Sequence, residues 1–192
     1  AAAGSVSQVK DCTLSLMQVA KGQGITVMAK ENRGYGTAVV PPYGKKLVDT
    51  CCVNCGQCIQ VCPVGALSIR DNTDEVYDQI AKGKHVVAQI APSVRITLAE
   101  SLGYAPGTVT TGKIIHAMRK IGFSKVFDSD FTADLTIMEE ENEFLNRLKN
   151  GGTLPMMTSC CPAWVKYCET YGYEQLSHLS SAKSPQQMFG AV

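Results

Sequence analysis

The sequence carries little charge and contains no long apolar run. Only 18% of its 192 residues are charged, and 18 Lys and Arg nearly balance 17 Asp and Glu. A nucleic-acid-binding domain has a clustered basic excess, so that class of protein is disfavoured. No segment approaches the roughly 18 apolar residues of a membrane span, and Ala1-Ala2-Ala3-Gly4 lacks the charged start of a secretory signal. We therefore expect a soluble, non-secreted protein whose partners include neither nucleic acid nor membrane.

The nine cysteines are too few for a disulfide scaffold, and they are clumped along the chain. One group consists of Cys51, Cys52, Cys55, Cys58 and Cys62, and the other of Cys160, Cys161 and Cys168. Disulfide frameworks spread their bridges over a chain, whereas metal and cluster sites gather their ligands at short spacing. The pattern indicates metal chemistry in a reducing compartment.

The texture of the sequence changes near residue 70. Residues 1–70 are rich in Gly, Pro and short turns, which favours a small module organised by a ligand. Strand and helix patterns alternate over residues 71–192 and predict a parallel, doubly wound α/β lobe. The patterns predict helices over residues 73–82, 93–101, 111–121, 132–149 and 161–171, and strands over 85–91, 125–130 and 154–159. On the long helix, the residues expected to face inward are Leu135, Met138, Leu145 and Leu148.

The first cysteine group has the spacing of a bacterial ferredoxin. Cys52-x2-Cys55-x2-Cys58-x3-Cys62-Pro63 predicts a [4Fe-4S] cluster bound by thiolates in a small α+β ferredoxin-like module. The glycines at 56 and 65 would let the backbone approach the sulfur atoms. The alternative, a zinc knuckle or a set of unrelated thiols, does not account for the full spacing together with the proline.

The fourth ligand of this cluster is left open by the sequence. In a two-cluster ferredoxin the last cysteine of one run ligates the other cluster. The upstream positions with matching spacing are 9, 12, 15 and 19, and only Cys12 among them is a cysteine. Cys12 and Cys62 are comparable candidates, Cys51 is a weaker one, and complete loss of the cluster is a further alternative.

The second cysteine group lies between a predicted strand and a predicted helix. Thr158 to Trp164 reads TSCCPAW, and ligands of an open α/β sheet bind at the carboxyl ends of its strands. The amides of a helix N-terminus also stabilise thiolates there. Two buried cysteines that merely cap a helix are the alternative interpretation.

This motif resembles the first active-site signature of the [FeFe] hydrogenases. The resemblance extends over the chain from about residue 9, through Asn32–Tyr35, the ferredoxin run, Ala91–Ser93, Phe131–Glu140 and Ser180–Phe189, in order and spacing. The related non-catalytic iron–sulfur assembly factors usually have one cysteine in this motif. The pair Cys160-Cys161 therefore favours the hydrogenases.

The resemblance implies roles for individual residues. Cys161 would be a thiolate ligand of the cubane of the H-cluster, and Cys160 would be the last proton carrier beside its di-iron subsite. The implied proton path to the surface consists of Glu140, Ser180, Glu143 and Arg147. The implied lining around the cyanide and carbonyl ligands consists of Ala91, Pro92, Ser93, Ser184 and Gln186.

Helical spacing places Glu140, Glu143 and Arg147 on one face of the predicted long helix. A glutamate that carries protons near neutral pH needs a raised pKa, and we expect burial to raise it. The alternative is that the EEENE run at 139–143 is a solvated helix face.

The chain lacks part of what the family requires. After Cys168 it has no cysteine, whereas the family takes three of four cubane ligands from later motifs. We expect a subunit completed by a second chain, part of a longer protein, or a degenerate relative. The implied reaction is reversible hydrogen oxidation and proton reduction, with a ferredoxin or another low-potential carrier as electron partner. The alternative function is a non-catalytic assembly, redox-sensing or hydrogen-sensing protein. The cytoplasm is the expected compartment, with a hydrogenosome-like organelle as the alternative.

Overall fold

The computed structural model describes residues 27–62, 65 and 67–192. The expectations for residues 9, 12, 15 and 19, and for Pro63, lie outside the described residues. The chain divides into two compact units. In its described part, the first unit comprises residues 27–70, without 63, 64 and 66, together with Pro162–Tyr173; the second comprises Asp71–Cys161 and Glu174–Val192.

The described helices and strands alternate beyond residue 70. The strands are β1 (Ala29–Glu31), β2 (Ala38–Val40), β3 (Val87–Ile90) and β4 (Lys125–Asp128). The helices are α1 (Gln57–Gln60), α2 (Thr73–Ala81), α3 (Val94–Ser101), α4 (Thr111–Ile121), α5 (Asp130–Asn150), α6 (Pro162–Tyr171) and α7 (Pro185–Phe189). Single 3-10 turns cover Gly34–Gly36, Pro42–Gly44 and Leu47–Asp49, and a longer one covers Tyr173–His178. Of the helices described, none has the length and apolar character needed to span a bilayer.

The two sheets differ in strand direction. In the first unit β1 and β2 pair antiparallel, with Lys30 opposite Val39. In the second unit β3 and β4 pair parallel, with Gln89 opposite Phe127. A parallel pair needs a crossover, and α3 and α4 lie between its strands in the sequence. The predicted α/β class is confirmed, although the parallel sheet has only two strands in the described residues.

The strand predicted over residues 154–159 is wrong. This segment makes one isolated parallel bridge, between Met157 and Leu179, in the part of the chain that is described. The bridge has two hydrogen bonds, Met157 N to His178 O and Ser180 N to Met157 O, both 2.7 Å. Pro155 has no N–H to donate to a ladder, so the pairing does not extend toward it.

The core of the second unit lies between the parallel sheet and α4. Ile90, Ile114 and Val126 are buried together, and Ile115, Met118 and Phe123 pack against them. Helix α4 thus buries an apolar face formed by Ile114, Ile115 and Met118. Ile121, one turn beyond Met118 at the last helical position, is 46% exposed.

The inward face of α5 is polar, which contradicts the prediction for this helix. Leu135 is half-buried, but Met138, Leu145 and Leu148 are 61%, 41% and 51% exposed. The buried or half-buried positions are instead Thr132, Thr136, Glu140, Glu143 and Arg147. Their spacing of three or four residues keeps them on one face. The two threonine hydroxyls donate to helix carbonyls, Thr132 to Ser129 and Thr136 to Thr132, so their burial leaves no unpaired hydroxyl.

An ion-pair cluster fixes the start of α3, immediately after the Ala91–Ser93 turn. Arg95 Nη1 lies 3.2 Å from Asp128 Oδ2 and 2.6 Å from Asp130 Oδ2. The carbonyl of Arg95 also accepts two hydrogen bonds from Thr110, one from its amide and one from its hydroxyl. The turn after β3 is thereby tied to the end of β4 and the start of α5.

We predict that Ile114→Ala destabilises the chain by about 2–4 kcal/mol, since it removes buried methyl groups and leaves a cavity. Ile121→Ala is the matched control, because it makes the same change on the exposed end of the same helix and should cost less than about 1 kcal/mol. Urea unfolding followed by far-UV circular dichroism measures both. Equal losses in the two variants would contradict the assignment of this core.

Candidate functional site

The cysteine loop of the first unit turns sharply before α1. Gly56 caps α1 with a φ of 74°, and Asn54 has a φ of 58°. Only glycine adopts such a conformation without steric cost, which explains the residue at position 56. The amide of Asn54 donates to Cys52 Sγ at 3.4 Å, so the turn directs a backbone N–H group at this sulfur.

Three thiols of this loop interact electrostatically. Burial raises the pKa of the Cys58 thiol above its usual value, and the neighbouring Cys52 and Cys55 raise it further, while amides at the start of α1 oppose the shift. Three thiolates this close need cationic compensation, and the irons of a cluster provide it. The chemistry of Cys52, Cys55 and Cys58 thus fits an iron–sulfur cluster. In the part described, no three His, Cys, Asp or Glu side chains form a single-ion site.

Helix α6 packs beside this loop within the first unit. The Tyr171 hydroxyl donates to the carbonyl of Cys51 at 3.3 Å. Hydrogen bonding with Cys51, followed by burial, raises the pKa of Tyr171 to about 12. Trp164, Tyr167 and Tyr171 follow one another along the helix, with ring centroids 6.1 and 5.5 Å apart. Cys168 is fully buried in this helix, and its burial raises the pKa of its thiol.

The cysteine pair of the second motif is exposed. Both Cys160 and Cys161 are accessible, which contradicts the alternative of two buried capping cysteines. The Thr158 hydroxyl lies 3.6 Å from Cys160 Sγ. The Ser159 hydroxyl donates to the carbonyl of Ala182 at 2.7 Å. The motif is therefore held against the segment that follows Ser180.

Glu143 is the acceptor at the centre of a hydrogen-bond network in the second unit. Its Oε2 atom accepts from the Ser180 hydroxyl at 3.0 Å, from the Ser181 amide at 2.9 Å and from the Ser181 hydroxyl at 3.0 Å. Its Oε1 atom accepts from Arg147 Nε and Nη2 at 3.1 and 2.6 Å. The solvated-face interpretation is wrong for this residue, since both oxygens are occupied by protein donors.

Arg147 uses its remaining N–H groups to bind backbone carbonyls. Nη2 donates to Leu179 O at 2.7 Å. Nη1 lies within 3.1–3.4 Å of the carbonyls of Thr153, Ser177 and His178. One guanidinium thus joins α5 to the segment after it and to the segment that carries Ser180. A planar fork of five donors suits this task, and lysine could not replace it.

The expected rise in the pKa of Glu143 is wrong. Burial alone raises this pKa, but hydrogen bonds from Arg147, Ser181 and Ser180 together lower it below the usual value. The side chains of Arg147 and Glu143 are only 16% and 20% exposed, so solvent screens their interaction little. Glu143 is therefore held as a carboxylate.

The structure brings together only part of the predicted proton path. Ser180, Glu143 and Arg147 form continuous hydrogen bonds. Glu140 lies one turn before Glu143 on the same face, and its buried Oε1 has no hydrogen-bond partner among the described residues. A buried acceptor of this kind is suited to bind a hydrogen-bond donor from a water molecule or from a further ligand. Cys160 is not linked to Glu140 by any hydrogen bond in the described part.

A groove of about 650 Å³ is lined in part by Glu143. Its other polar lining residues are Glu139, Asn142, Asn146, Ser181 and Lys183, and Leu135, Met188 and Val192 are among its apolar ones. The groove is large enough for water, which its polar side chains can bind.

The residues predicted to line the iron unit lie on two turns of the second unit. Ala91, Pro92 and Ser93 form the exposed turn between β3 and α3. Ser184 caps α7 through reciprocal hydrogen bonds with Gln187, and Gln186 is exposed on the first turn of that helix. Cys161 is the one residue of this lobe predicted to be a cubane thiolate, so the predicted ligands and lining would hold only one edge of an H-cluster.

Sequence reasoning missed two groups of site residues. Ser181 supplies two of the donors to Glu143, and no spacing marks it except its position beside Ser180. Gln89 and Ser129 bind each other across the parallel sheet. For Gln89 the sequence does contain a signal, because a polar residue inside the apolar strand VVAQIA indicates a specific role.

Comparison with known proteins agrees with this geometry. Residues 84–192 match the family described as iron only hydrogenase large subunit, C-terminal domain, and residues 47–68 match the 4Fe-4S binding domain. The second match confirms the expected iron–sulfur cofactor of the cysteine loop. An apo variant of [FeFe]-hydrogenase HydA1 from Chlamydomonas reinhardtii superposes with a TM-score of 0.59 at 41% identity, over 64% of this chain and 32% of that one.

Curated relatives include two hydrogenases and a protein named NAR1. The NADP-reducing hydrogenase subunit HndD of Solidesulfovibrio fructosivorans is 51% identical, over 86% of this chain and 30% of that protein. Iron hydrogenase 1 of Clostridium pasteurianum is 50% identical, over 68% and 23%. Protein NAR1 of Arabidopsis thaliana is 33% identical, over 73% and 31%. The chain spans less than a third of each. Because the hydrogenase model matches more than half of the chain, this protein belongs to the family of the iron-only hydrogenase large subunit.

Proposed function

We propose that this chain forms the ferredoxin-like module and the first catalytic lobe of an [FeFe] hydrogenase, which interconverts two protons, two electrons and H₂. The observation that carries the proposal is the hydrogen-bonded series Ser180–Glu143–Arg147, which begins at a water-accessible groove and lies in the same unit as Cys160 and Cys161. A protein that only transfers electrons does not require a carboxylate, such as Glu143, that is surrounded by exchangeable N–H and O–H protons.

The chain's residues have separate tasks in this proposal. Cys52, Cys55 and Cys58, with Cys62 or Cys12, would hold a [4Fe-4S] cluster, and a ferredoxin or another low-potential carrier would be the electron partner. Cys161 would hold one corner of the H-cluster cubane. When bound, the H-cluster supplies the redox chemistry of hydrogen. The residues proposed to line its di-iron unit and keep water away are Ala91, Pro92, Ser93, Ser184 and Gln186.

Glu143 is a proton acceptor in this proposal, and the serine hydroxyls beside it are donors. The lowered pKa of Glu143 differs from the raised value expected of a proton carrier, so this carboxylate would hold a proton only transiently. The Ser180 hydroxyl can donate one proton while it accepts another, which suits a carrier between two acids. Glu140 and then Cys160 are the proposed next carriers.

A second polypeptide, or a further part of the same protein, would supply the remaining cubane thiolates. Apolar side chains of α5 support this proposal, because they are exposed in the lobe described here: Phe131, Met138, Leu145 and Leu148, at 59%, 61%, 41% and 51%. An apolar stripe along a helix is typical of an interface.

The second candidate function is a non-catalytic iron–sulfur assembly protein. The relatives named NAR1 and cytosolic iron-sulfur assembly component 3, at 33–37% identity, favour it. For the compartment, we propose the cytoplasm, with a hydrogenosome-like organelle as the alternative.

Infrared spectroscopy of the purified, assembled protein separates the two candidates. We expect bands of iron-bound CO and CN⁻, because a hydrogenase lobe with its completing chain holds a di-iron unit. The same preparation stripped of iron is the control and should lose the bands. A preparation with intact [4Fe-4S] signals but no such bands would favour the assembly protein.

We predict that Cys160→Ser in the assembled enzyme lowers hydrogen evolution by about 10²-fold or more, because a serine hydroxyl is far too weak an acid to carry the proton. Hydrogen evolution with a chemical reductant measures the loss, and unchanged CO and CN⁻ bands show that the metal site is intact. Cys168→Ala is the control, because this thiol is buried in α6 and should be dispensable for turnover. Full activity of Cys160→Ser would remove Cys160 from the proton path.

We predict that Glu143→Gln destabilises the chain at neutral pH and that the difference from the native chain narrows in acid. The folded-state pKa of Glu143 is lowered, so its contribution is complete above the ordinary value of 4.5 and disappears as the pH falls through the lower folded value. Thermal unfolding across this pH range measures the difference. Glu141→Gln changes an exposed residue of the same helix and should show no such trend. A difference independent of pH would contradict the assignment.

A further inference from the structure

Helix α7 packs against one pair of adjacent residues of the parallel sheet, Gln89 and Phe127. Gln89 of β3 and Phe127 of β4 are register partners, so their side chains share one face of the sheet. Gln89 Nε2 donates to the carbonyl of Gln186 at 3.4 Å. The rings of Phe127 and Phe189 lie 5.3 Å apart at 57°. These two register partners therefore contact the two ends of the same short helix.

Two hydrogen bonds together fix the amide of Gln89. The carbonyl of Gln186 can only accept, so the NH₂ group of Gln89 faces it, and the Ser129 hydroxyl donates to Gln89 Oε1 at 3.0 Å on the other side. Ser129 is itself fixed, since its amide donates to Ile90 O at 3.1 Å and it is only 7% exposed. Along this series, Ser129 donates to Gln89, and Gln89 donates to the carbonyl of Gln186.

The position of α7 depends on such outside contacts. With five residues it is far shorter than a helix that is stable alone. A third contact comes from α5, where the buried Thr136 hydroxyl oxygen lies 3.3 Å from Met188 Sδ. The Ser184 capping box orders the first turn, but it does not attach the helix to the sheet.

Gln89 also lies just before the other segment proposed to line the di-iron unit. Ala91 follows Gln89 by two residues, and the turn Ala91–Ser93 leads directly into α3. Gln89 is therefore connected to both segments proposed to line the di-iron unit. The backbone of β3 connects it to the Ala91–Ser93 turn, and its side-chain hydrogen bond connects it to α7.

We propose that Gln89, oriented by Ser129, is a positioning residue that fixes the backbone of Gln186 relative to the Ala91–Ser93 turn and so sets the separation of the two lining segments. This inference rests on the proposed function for the identity of the bound group. The fixing of α7 itself requires no bound group, and it is measurable on the chain alone.

Hydrogen exchange on the full chain without clusters tests the fixing of α7. Gln89→Met keeps the length of the side chain and removes both hydrogen bonds. We expect the amides of residues 186–190 to exchange roughly three- to tenfold faster, as the loss of about one net hydrogen bond implies. Gln79→Met is the matched control, because the amide of Gln79 reaches only its neighbour Asp78 among the contacts described. Unchanged exchange in Gln89→Met would overturn the inference.

Infrared spectroscopy of the assembled enzyme tests the consequence for the bound group. We expect the CO and CN⁻ bands to shift or broaden in Gln89→Met and in Ser129→Ala, and to be unchanged in Gln79→Met. Gln89→Glu keeps the acceptor for Ser129 but loses the donor to Gln186, so it should behave like Gln89→Met. Native bands in both Gln89 variants would overturn the positioning role. Absence of bands in the native enzyme would instead contradict the proposed function, and hydrogen exchange would still decide whether Gln89 fixes α7.

Discussion

The ion pair between Arg147 and Glu143 determines the arrangement of the second unit around its site. One side of the guanidinium binds the carboxylate, and the other binds carbonyls of Thr153 and of residues 177–179. Those residues lead into Ser180 and Ser181, which then reach the second carboxylate oxygen. Removal of one partner of such a buried pair typically costs about 3–5 kcal/mol, because the other charge is left uncompensated. The carboxylate of Glu143 thus holds in place the same donors, Arg147, Ser180 and Ser181, that stabilise its charge.

The same arrangement determines the charge state of Glu143. Hydrogen bonds to an anion stabilise its charged form, and four protein donor groups do so at Glu143, against the effect of burial. Glu140 has a buried oxygen without a donor in the described residues. Two carboxylates one turn apart on the same helix therefore differ in their surroundings: protein donors bind both oxygens of Glu143, whereas one oxygen of Glu140 has no partner among the described residues.

The sequence predicted the elements of this fold better than it predicted which faces are buried. The helix at Thr111–Ile121 and the start of the helix at Thr73 are predicted correctly, the first because its apolar periodicity agrees with the core that it joins. On α5 the periodicity was misleading, since the inward face consists of Thr132, Thr136 and the charged pair. Polar groups become buried where tertiary partners satisfy them, and those partners, such as Ser181, lie some forty residues away. Local patterns contain no information about that pairing.

The polar inward face of α5 also has a consequence for its outward face. A helix of this length normally buries its apolar stripe, yet here Phe131 and Met138 are about 60% exposed. Apolar burial contributes roughly 25 cal/mol per Å², so the lobe forgoes several kcal/mol that such a stripe would supply. That free energy is available to any surface that covers the stripe. A helix that is polar on its inward face and apolar on its outward face therefore combines the hydrogen-bond network around Glu143 with a driving force for binding any surface that covers the stripe.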